Sequence, residues 1–133
     1  MALAVARRRS GYAHDVEIDG RHSVVIDEPV DSGGADEGAS PTRMLGAALA
    51  ACTAITVEMY ADRKGWELGE LSVEVEISYE GSVPTEFDVT LRLPGGLSEE
   101  QLERIRVIAG KCPVHRALAS ETKVTITDRI QPV

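Results

Sequence analysis

The feature that most constrains the fold is a long, alanine-rich apolar run that follows Ser40 and Pro41 and continues as far as Gly65. Serine is a favoured helix N-cap, proline fits the first helical position, and glycine is a common helix stop. The sequence therefore predicts one long helix, with Cys52 at its middle. Its expected buried stripe recurs at steps of three and four residues and consists of Leu45, Ala48, Leu49, Cys52, Ile55 and Met59.

Segments that alternate apolar and polar residues lie on both sides of this helix and predict strands. LSVEVEISYE (71–80) and FDVTLRLP (87–94) are expected to form an antiparallel pair. Upstream, YAHDVEIDGRHSVVI (12–26) is interrupted by an Asp-Gly dipeptide that is typical of a tight hairpin turn. Near the C-terminus, KVTITD (123–128) predicts a last strand.

Two shorter helices are predicted after the second strand pair. Ser98 and Gln101 have the spacing of a capping box, and Cys112-Pro113 begins a short helical turn. A Gly-, Asp- and Ser-rich segment, 27–40, is interpreted as an ordered loop or a mobile flap. The predicted order is β-β-α-β-β-α-α-β, an α+β fold with a mostly antiparallel sheet in a single domain, 1–133.

Charge and composition exclude several classes of partner. The formal net charge is -8, which disfavours nucleic acid and gives no general attraction to anionic lipid. The apolar residues before Arg7-Arg8-Arg9 are too few for a signal peptide, and no other run is expected to reach the ~20 apolar residues of a membrane span. We therefore expect a cytoplasmic protein with no membrane partner.

Cys112 is the more informative of the two cysteines because it directly precedes Pro113 and is predicted to be a helix N-cap. Free backbone N–H groups and the helix dipole favour a thiolate at that position. His115 and Arg116 follow within one turn and are candidates to stabilise the same anion. The alternative interpretation is a small buried hydrophobic residue at a helix junction.

Cys52 is more ambiguous, because a cysteine in an alanine-rich stripe is most often plain packing. A nearby cation would give it a chemical role, and the candidates are Arg43, His14 and Arg116. A zinc site would need Cys52, Cys112 and His115 together with another histidine such as His14 or His22. No second paired spacing supports such a site, so the sequence predicts neither a metal nor another cofactor.

Three stretches together resemble the OsmC/Ohr family of thiol-dependent peroxidases and their OsmC-like relatives. They are DEPVDSGGADEGASP, LGAALAACTAITVEMYADRKGW and KCPVHRALASETKV, and the resemblance spans roughly residues 10 to 130. It implies an intertwined homodimer with the thiol sites at the subunit interface. It also implies a cycle in which Cys52 attacks an organic hydroperoxide, Cys112 forms a disulfide with the product, and an external dithiol reduces that disulfide.

The sequence departs from the family pattern at the activating Arg–Glu pair. The family's glutamate falls on Thr42, which Arg43 follows, and its arginine falls on His14; Arg43, His14 or Arg21 are the candidates to replace the cation. Two other functions therefore stay open beside the peroxidase. One is a non-catalytic OsmC-like protein that binds a small hydrophobic or thiol ligand, and the other is a cysteine redox sensor.

Overall fold

A computed structural model describes all residues of the chain, Met1–Val133. Two compact units can be distinguished, one formed by residues 1–47 and 76–87 and the other by 48–75 and 88–133. In chain order the strands and helices are β1 (Ala4–Ser10), β2 (Ala13–Ile18), β3 (His22–Ile26), α1 (Pro41–Lys64), β4 (Ser72–Glu80), β5 (Val83–Arg92), α2 (Glu99–Ala109) and α3 (Pro113–Leu118). The predicted α+β class, with antiparallel sheets and one long helix, is confirmed.

In the first unit, β1, β2 and β3 form a three-stranded antiparallel sheet in that order. The predicted hairpin joins β2 to β3 through Asp19 and Gly20, whose φ angles of 55° and 65° suit a tight turn with two left-handed residues. Strand β1 was not predicted, because its arginines do not alternate with apolar residues. Ion pairs to β2 accompany the pairing: Arg7 lies 3.0 Å from Glu17 and Arg9 lies 3.4 Å from Asp15.

The loop after β3 is ordered around the buried side chain of Asp27. Its carboxylate accepts hydrogen bonds from the backbone N–H groups of Glu28, Ala35 and Glu37 at 2.7, 3.2 and 3.1 Å. These donors, first that of Glu37, hold the pKa of Asp27 below its ordinary value of 3.8 even though burial acts in the opposite direction. The loop also approaches itself closely, since a side chain at Gly34 would collide with the Glu28 carbonyl.

Helix α1 has two apolar faces instead of the single predicted stripe. Within the second unit its buried face recurs every four residues and consists of Leu49, Thr53, Val57 and Ala61. Ala48, Ile55 and Met59, which the sequence pattern assigned to the buried stripe, are exposed. The difference arises because alanines make the helix apolar almost all round, so the pattern does not show which side packs against the chain.

Helix α2 packs against the buried face of α1 and completes the core of the second unit. Val57, Ala61, Leu68, Ile105 and Ala109 form the buried cluster. The predicted capping box is confirmed: the Ser98 hydroxyl accepts from the Gln101 N–H at 3.1 Å, and the Ser98 N–H donates to the Gln101 side chain at 2.8 Å. Strands β4 and β5 form a separate two-stranded sheet.

The predicted C-terminal strand over KVTITD is wrong. Residues 122–133 form no regular element, and Val124 and Ile126 are 61% and 81% exposed. Alternation supplies the side-chain pattern of a strand, but a strand also needs a neighbour for its backbone hydrogen bonds, and none pairs with this segment. The observed order is therefore β-β-β-α-β-β-α-α.

Helix α1 also corrects the expectation that no segment reaches the composition of a membrane span. By length and composition alone its 24 residues are sufficient to cross a bilayer. This is weak evidence for a membrane location, because the core helix of a soluble protein meets the same criterion.

Candidate functional site

Cys112 occupies the N-cap of α3, as the sequence predicts, and Pro113 occupies the first helical position. Its backbone is extended at φ -55° and ψ 131°, which turns the side chain back toward the first turn of the helix. The Cys112 Sγ accepts a hydrogen bond from the backbone N–H of His115 at 3.4 Å. The local geometry is therefore that of a capping thiol.

The expected stabilisation of a Cys112 thiolate is wrong, because burial outweighs the helix end. Cys112 is 0% exposed. Burial, followed by the neighbouring Cys52 thiol, raises the pKa of Cys112 above its ordinary value of 9.0, and the N–H donors of His115 and Val114 only partly oppose this. At neutral pH the group is a protonated thiol.

Cys52 adjoins Cys112, and the structure thus brings together the two cysteines that lie sixty positions apart in the sequence. Cys52 lies on α1 between the buried and the exposed faces, and it is half-buried. Both thiols are free. The pair therefore consists of one half-buried cysteine and one that solvent does not reach.

A carboxylate that the sequence pattern did not indicate, Glu121, lies beside His115 and Arg116 of α3. Ser120 has a left-handed φ of 60°, and the Glu121 N–H donates to the Arg116 carbonyl at 2.9 Å, so the chain folds back over α3. Glu121 then lies 3.8 Å from the His115 Nδ1 and 4.0 Å from the Arg116 Nε. The His115 Nδ1 is buried and has no hydrogen-bond partner.

The remaining predicted site residues lie in the first unit, whereas both cysteines and His115 lie in the second. Arg43 donates from its backbone N–H and its guanidinium to the Ser40 hydroxyl, at 3.4 and 3.3 Å. The His14 Nδ1 lies 2.8 Å from the Tyr12 carbonyl oxygen. Arg21 is exposed.

Thr42, the residue onto which the family's glutamate was predicted to fall, forms a hydrogen bond of 2.9 Å with the Tyr79 hydroxyl. No group of three or more His, Cys, Asp or Glu side chains is arranged to hold a metal ion.

The fold and the site define a class: an α+β protein in which a long helix presents a half-buried thiol to a buried thiol at the start of a short helix. A family model described as OsmC-like protein matches residues 33–127 of this sequence. The chain belongs to the OsmC-like family. No curated protein matches it.

Solved structures share the fold at low sequence identity. An OsmC-like protein from Mycoplasma pneumoniae has a TM-score of 0.73 and 21% identity, with 90% of this chain and 86% of that chain covered. An organic hydroperoxide resistance protein from Elizabethkingia anophelis has a TM-score of 0.70 and 22% identity, covering 90% and 89%. The organic hydroperoxide resistance protein OsmC from Legionella pneumophila has a TM-score of 0.63 and 23% identity, covering 89% and 90%.

Proposed function

We propose that this protein is a thiol-dependent peroxidase that reduces organic hydroperoxides to alcohols through Cys52 and Cys112. The observation that carries the proposal is that a half-buried and a fully buried free cysteine are neighbours in the fold. A reactive thiol must be accessible to a peroxide, and a second thiol must be adjacent to form a disulfide with the oxidised product. The names of two structural neighbours, organic hydroperoxide resistance proteins, agree with this chemistry.

In the first proposed step the Cys52 thiolate attacks the terminal oxygen of the hydroperoxide. An S–O bond forms and the O–O bond breaks, so Cys52 becomes a sulfenic acid. The departing alkoxide takes up a proton and leaves as the alcohol. The accessibility of Cys52 supports its assignment as the residue that meets the substrate.

In the second step the Cys112 sulfur attacks the oxidised sulfur of Cys52. The S–S bond forms, the S–O bond breaks, and the hydroxyl leaves as water with the proton of the Cys112 thiol. An external dithiol then restores both thiols by two exchange reactions. Burial of Cys112 keeps it away from the peroxide, and its protonated state suits a thiol that reacts only after Cys52 is oxidised.

We assign His115 a supporting role in the second step. Its backbone N–H already donates to the Cys112 sulfur and would stabilise negative charge that develops there. The Glu121 carboxylate lies 3.8 Å from the Nδ1 atom of the same histidine. Because His115→Phe keeps the backbone donor, it tests the ring alone, and slower disulfide formation after normal sulfenic acid formation would support a role for the ring.

We propose Arg43 and His14 as the cations that assist the Cys52 thiolate in place of the family's arginine. Loss of a well-placed donor slows such reactions by roughly a hundred-fold. Arg43→Gln and His14→Gln should therefore slow the reaction of Cys52 with peroxide, whereas Arg21→Gln is the matched surface control. Equal rates in all three variants would remove both residues from the mechanism.

We further propose that the protein is a cytoplasmic homodimer, as the family resemblance implies. Two apolar sets in the second unit support a second copy as partner: Ile55 and Met59 on the outer face of α1, and Val124 and Ile126 in the C-terminal segment. A reducing compartment suits a cycle that depends on an external dithiol.

The test is thiol loss in the reduced protein after exposure to cumene hydroperoxide or hydrogen peroxide, with mass spectrometry of the non-reduced peptides. We expect a Cys52–Cys112 disulfide that forms much faster with the organic peroxide. Cys52→Ser should abolish thiol loss, and Cys112→Ser should stop the reaction at the Cys52 sulfenic acid. Thiols that react no faster than free cysteine would contradict the proposal.

That contrary result would favour the second candidate, a non-catalytic OsmC-like protein that binds a small hydrophobic or thiol ligand. The specific observation in its favour is the Thr42–Tyr79 hydroxyl pair where the family's glutamate was predicted to fall. A ligand-binding protein would retain unreactive thiols.

A further inference from the structure

A groove in the second unit lies between the C-terminal end of α1 and helix α2, and neither cysteine lines it. Its volume is about 710 Å³, within the range of small-molecule sites. The groove contains Tyr60 and Trp66, and Trp66 is the single tryptophan of a chain with only 4% aromatic residues. Two of the few aromatic rings of this chain therefore lie together in a groove that the proposed peroxidase chemistry does not use.

The two rings form a defined apolar surface. The centroids of Tyr60 and Trp66 are 5.6 Å apart with an interplanar angle of 72°, an edge-to-face arrangement. Val107 of α2 extends the apolar lining. Such a surface suits the compact hydrophobic part of a small-molecule ligand.

Two cations flank the same surface. The Lys64 ammonium lies 5.7 Å from the Tyr60 ring centroid, and the Arg104 guanidinium lies 5.9 Å from it. Arg104 also donates to the Tyr60 hydroxyl at 3.0 Å, and this bond holds the pKa of Tyr60 below its ordinary value.

Neither cation has a carboxylate partner, although the chain carries an excess of acidic residues. Glu100 and Glu103 also line the groove, but Glu103 pairs with Arg106 at 3.6 Å and not with Lys64 or Arg104. Guanidinium donors favour carboxylates, and two cations that lie beside aromatic rings and have no carboxylate within 4.0 Å therefore favour an anion with an apolar group.

We infer that this groove binds a small carboxylate with a hydrophobic or aromatic body. The carboxylate lies between Lys64 and Arg104, and the body packs on Tyr60, Trp66 and Val107. The site is distinct from the two thiols and does not depend on their chemistry.

The single tryptophan allows a direct test with the reduced full-length protein. Trp66 fluorescence is measured while 4-tert-butylbenzoate is added, and the neutral analogue 4-tert-butylbenzyl alcohol serves as the uncharged control. We expect a saturable change with the carboxylate and binding about ten-fold weaker with the alcohol, because the charge-assisted hydrogen bonds are lost. Equal affinity for both compounds, or no saturable change with either, would overturn the inference.

Variants assign the charge recognition to these two residues. Lys64→Gln and Arg104→Gln should each weaken carboxylate binding by about ten-fold while leaving alcohol binding unchanged. Lys111→Gln, an exposed lysine outside the groove, is the matched control and should bind as the wild type does. Circular dichroism checks that each variant is folded, and equal losses in all three variants would contradict the assignment.

Discussion

Two opposite influences act on the thiol of Cys112. The end of α3 offers backbone donors that favour a thiolate, while complete burial and the neighbouring Cys52 thiol favour the protonated form. Burial is the larger influence, and the pKa is raised. A helix N-terminus therefore does not activate a cysteine by itself, because the solvent access of the sulfur decides whether the charge is tolerated.

The raised pKa of Cys112 predicts how stability depends on pH. The folded protein binds the thiol proton more tightly than the unfolded chain, so this contribution is complete below the ordinary pKa of 9.0 and is lost as pH rises above it. The free energy of unfolding should fall between pH 8 and pH 10 more steeply in the wild type than in Cys112→Ala. Urea titrations in the presence of a reductant measure it.

Cys52→Ala is the control for this pH effect. It removes the smaller cause, the neighbouring thiol, and leaves the burial of Cys112 in place. Most of the steep fall should therefore remain in this variant. A Cys112→Ala protein whose unfolding follows the same pH curve as the wild type would show that the thiol does not contribute.

Asp27 predicts the opposite pH dependence. Its pKa is lowered, so its stabilising contribution is present above the ordinary value of 3.8 and is lost as pH falls through the folded value. At pH 7, Asp27→Asn should lower the thermal midpoint by several degrees, because an amide cannot accept all three loop N–H bonds. The difference from the wild type should shrink below pH 4, as thermal unfolding followed by circular dichroism would show.

Asp36→Asn is a matched control in the same loop. Asp36 is exposed and has a left-handed φ of 54°, a conformation that asparagine tolerates. The thermal unfolding midpoint of Asp36→Asn should stay close to that of the wild type at every pH. A similar decrease of the thermal midpoint in Asp27→Asn and Asp36→Asn would indicate a general effect of charge and not the loss of the buried Asp27 hydrogen bonds.

At the residue scale, the sequence predicted the local position of Cys112 but not its environment. The Cys-Pro dipeptide indicates an N-cap because the signal lies in adjacent residues. The burial of Cys112 and its proximity to Cys52 depend on how α1 and α3 fold together, and no local pattern encodes that. Glu121 was missed for the same reason, since a left-handed Ser120 brings it back to His115.

At the element scale, the packing of α2 on α1 carries the core of the second unit. Ile105 is 1% exposed within the buried cluster, whereas Leu102 on the same helix is 42% exposed. Ile105→Ala should lower the free energy of unfolding by about 2–5 kcal/mol, because it removes buried methyl groups and leaves a cavity. Urea unfolding measures the change.

Leu102→Ala provides the matched control for this core substitution. The two changes have similar effects on helix propensity, so their difference reports burial. Leu102→Ala should lower the free energy of unfolding by less than about 1 kcal/mol. Equal losses of stability for Ile105→Ala and Leu102→Ala would contradict the packing of α2 on α1.

Features of the helices and strands that depend on neighbouring residues were predicted correctly, whereas features that depend on packing between elements were not. The capping box at Ser98 and the alternation of β4 and β5 are local, and both were predicted. Helix α1 was predicted to exist and Leu49 was correctly placed on its buried stripe, but Ala48 and Ile55 were wrongly placed there because both faces of the helix carry apolar residues. Only the position of α2 distinguishes the two faces.

At the scale of the whole molecule, the periodicity of apolar residues in the sequence predicts the α+β class. It does not predict strand β1, and it wrongly predicts a strand at the C-terminus. Strand β1 forms although it is basic, because β2 supplies both backbone partners and acidic side chains. The C-terminal segment alternates like a strand but lacks a partner within the chain. The large apolar side chains that the second unit exposes include Val124 and Ile126 in this segment, and Ile55 and Met59 on α1.

The proposed homodimer predicts that these side chains are covered in solution. Analytical ultracentrifugation of the reduced protein should give about twice the chain mass of 14.3 kDa. Ile55→Asp should shift the protein to the monomer with its helix content retained, because it places a charge on an interface while leaving the core of its own chain intact. Glu58→Gln, an exposed neighbour on α1, is the control and should remain dimeric. A wild-type protein that sediments as a monomer at micromolar concentration would contradict the dimer and leave the outer face of α1 without a second copy as its partner.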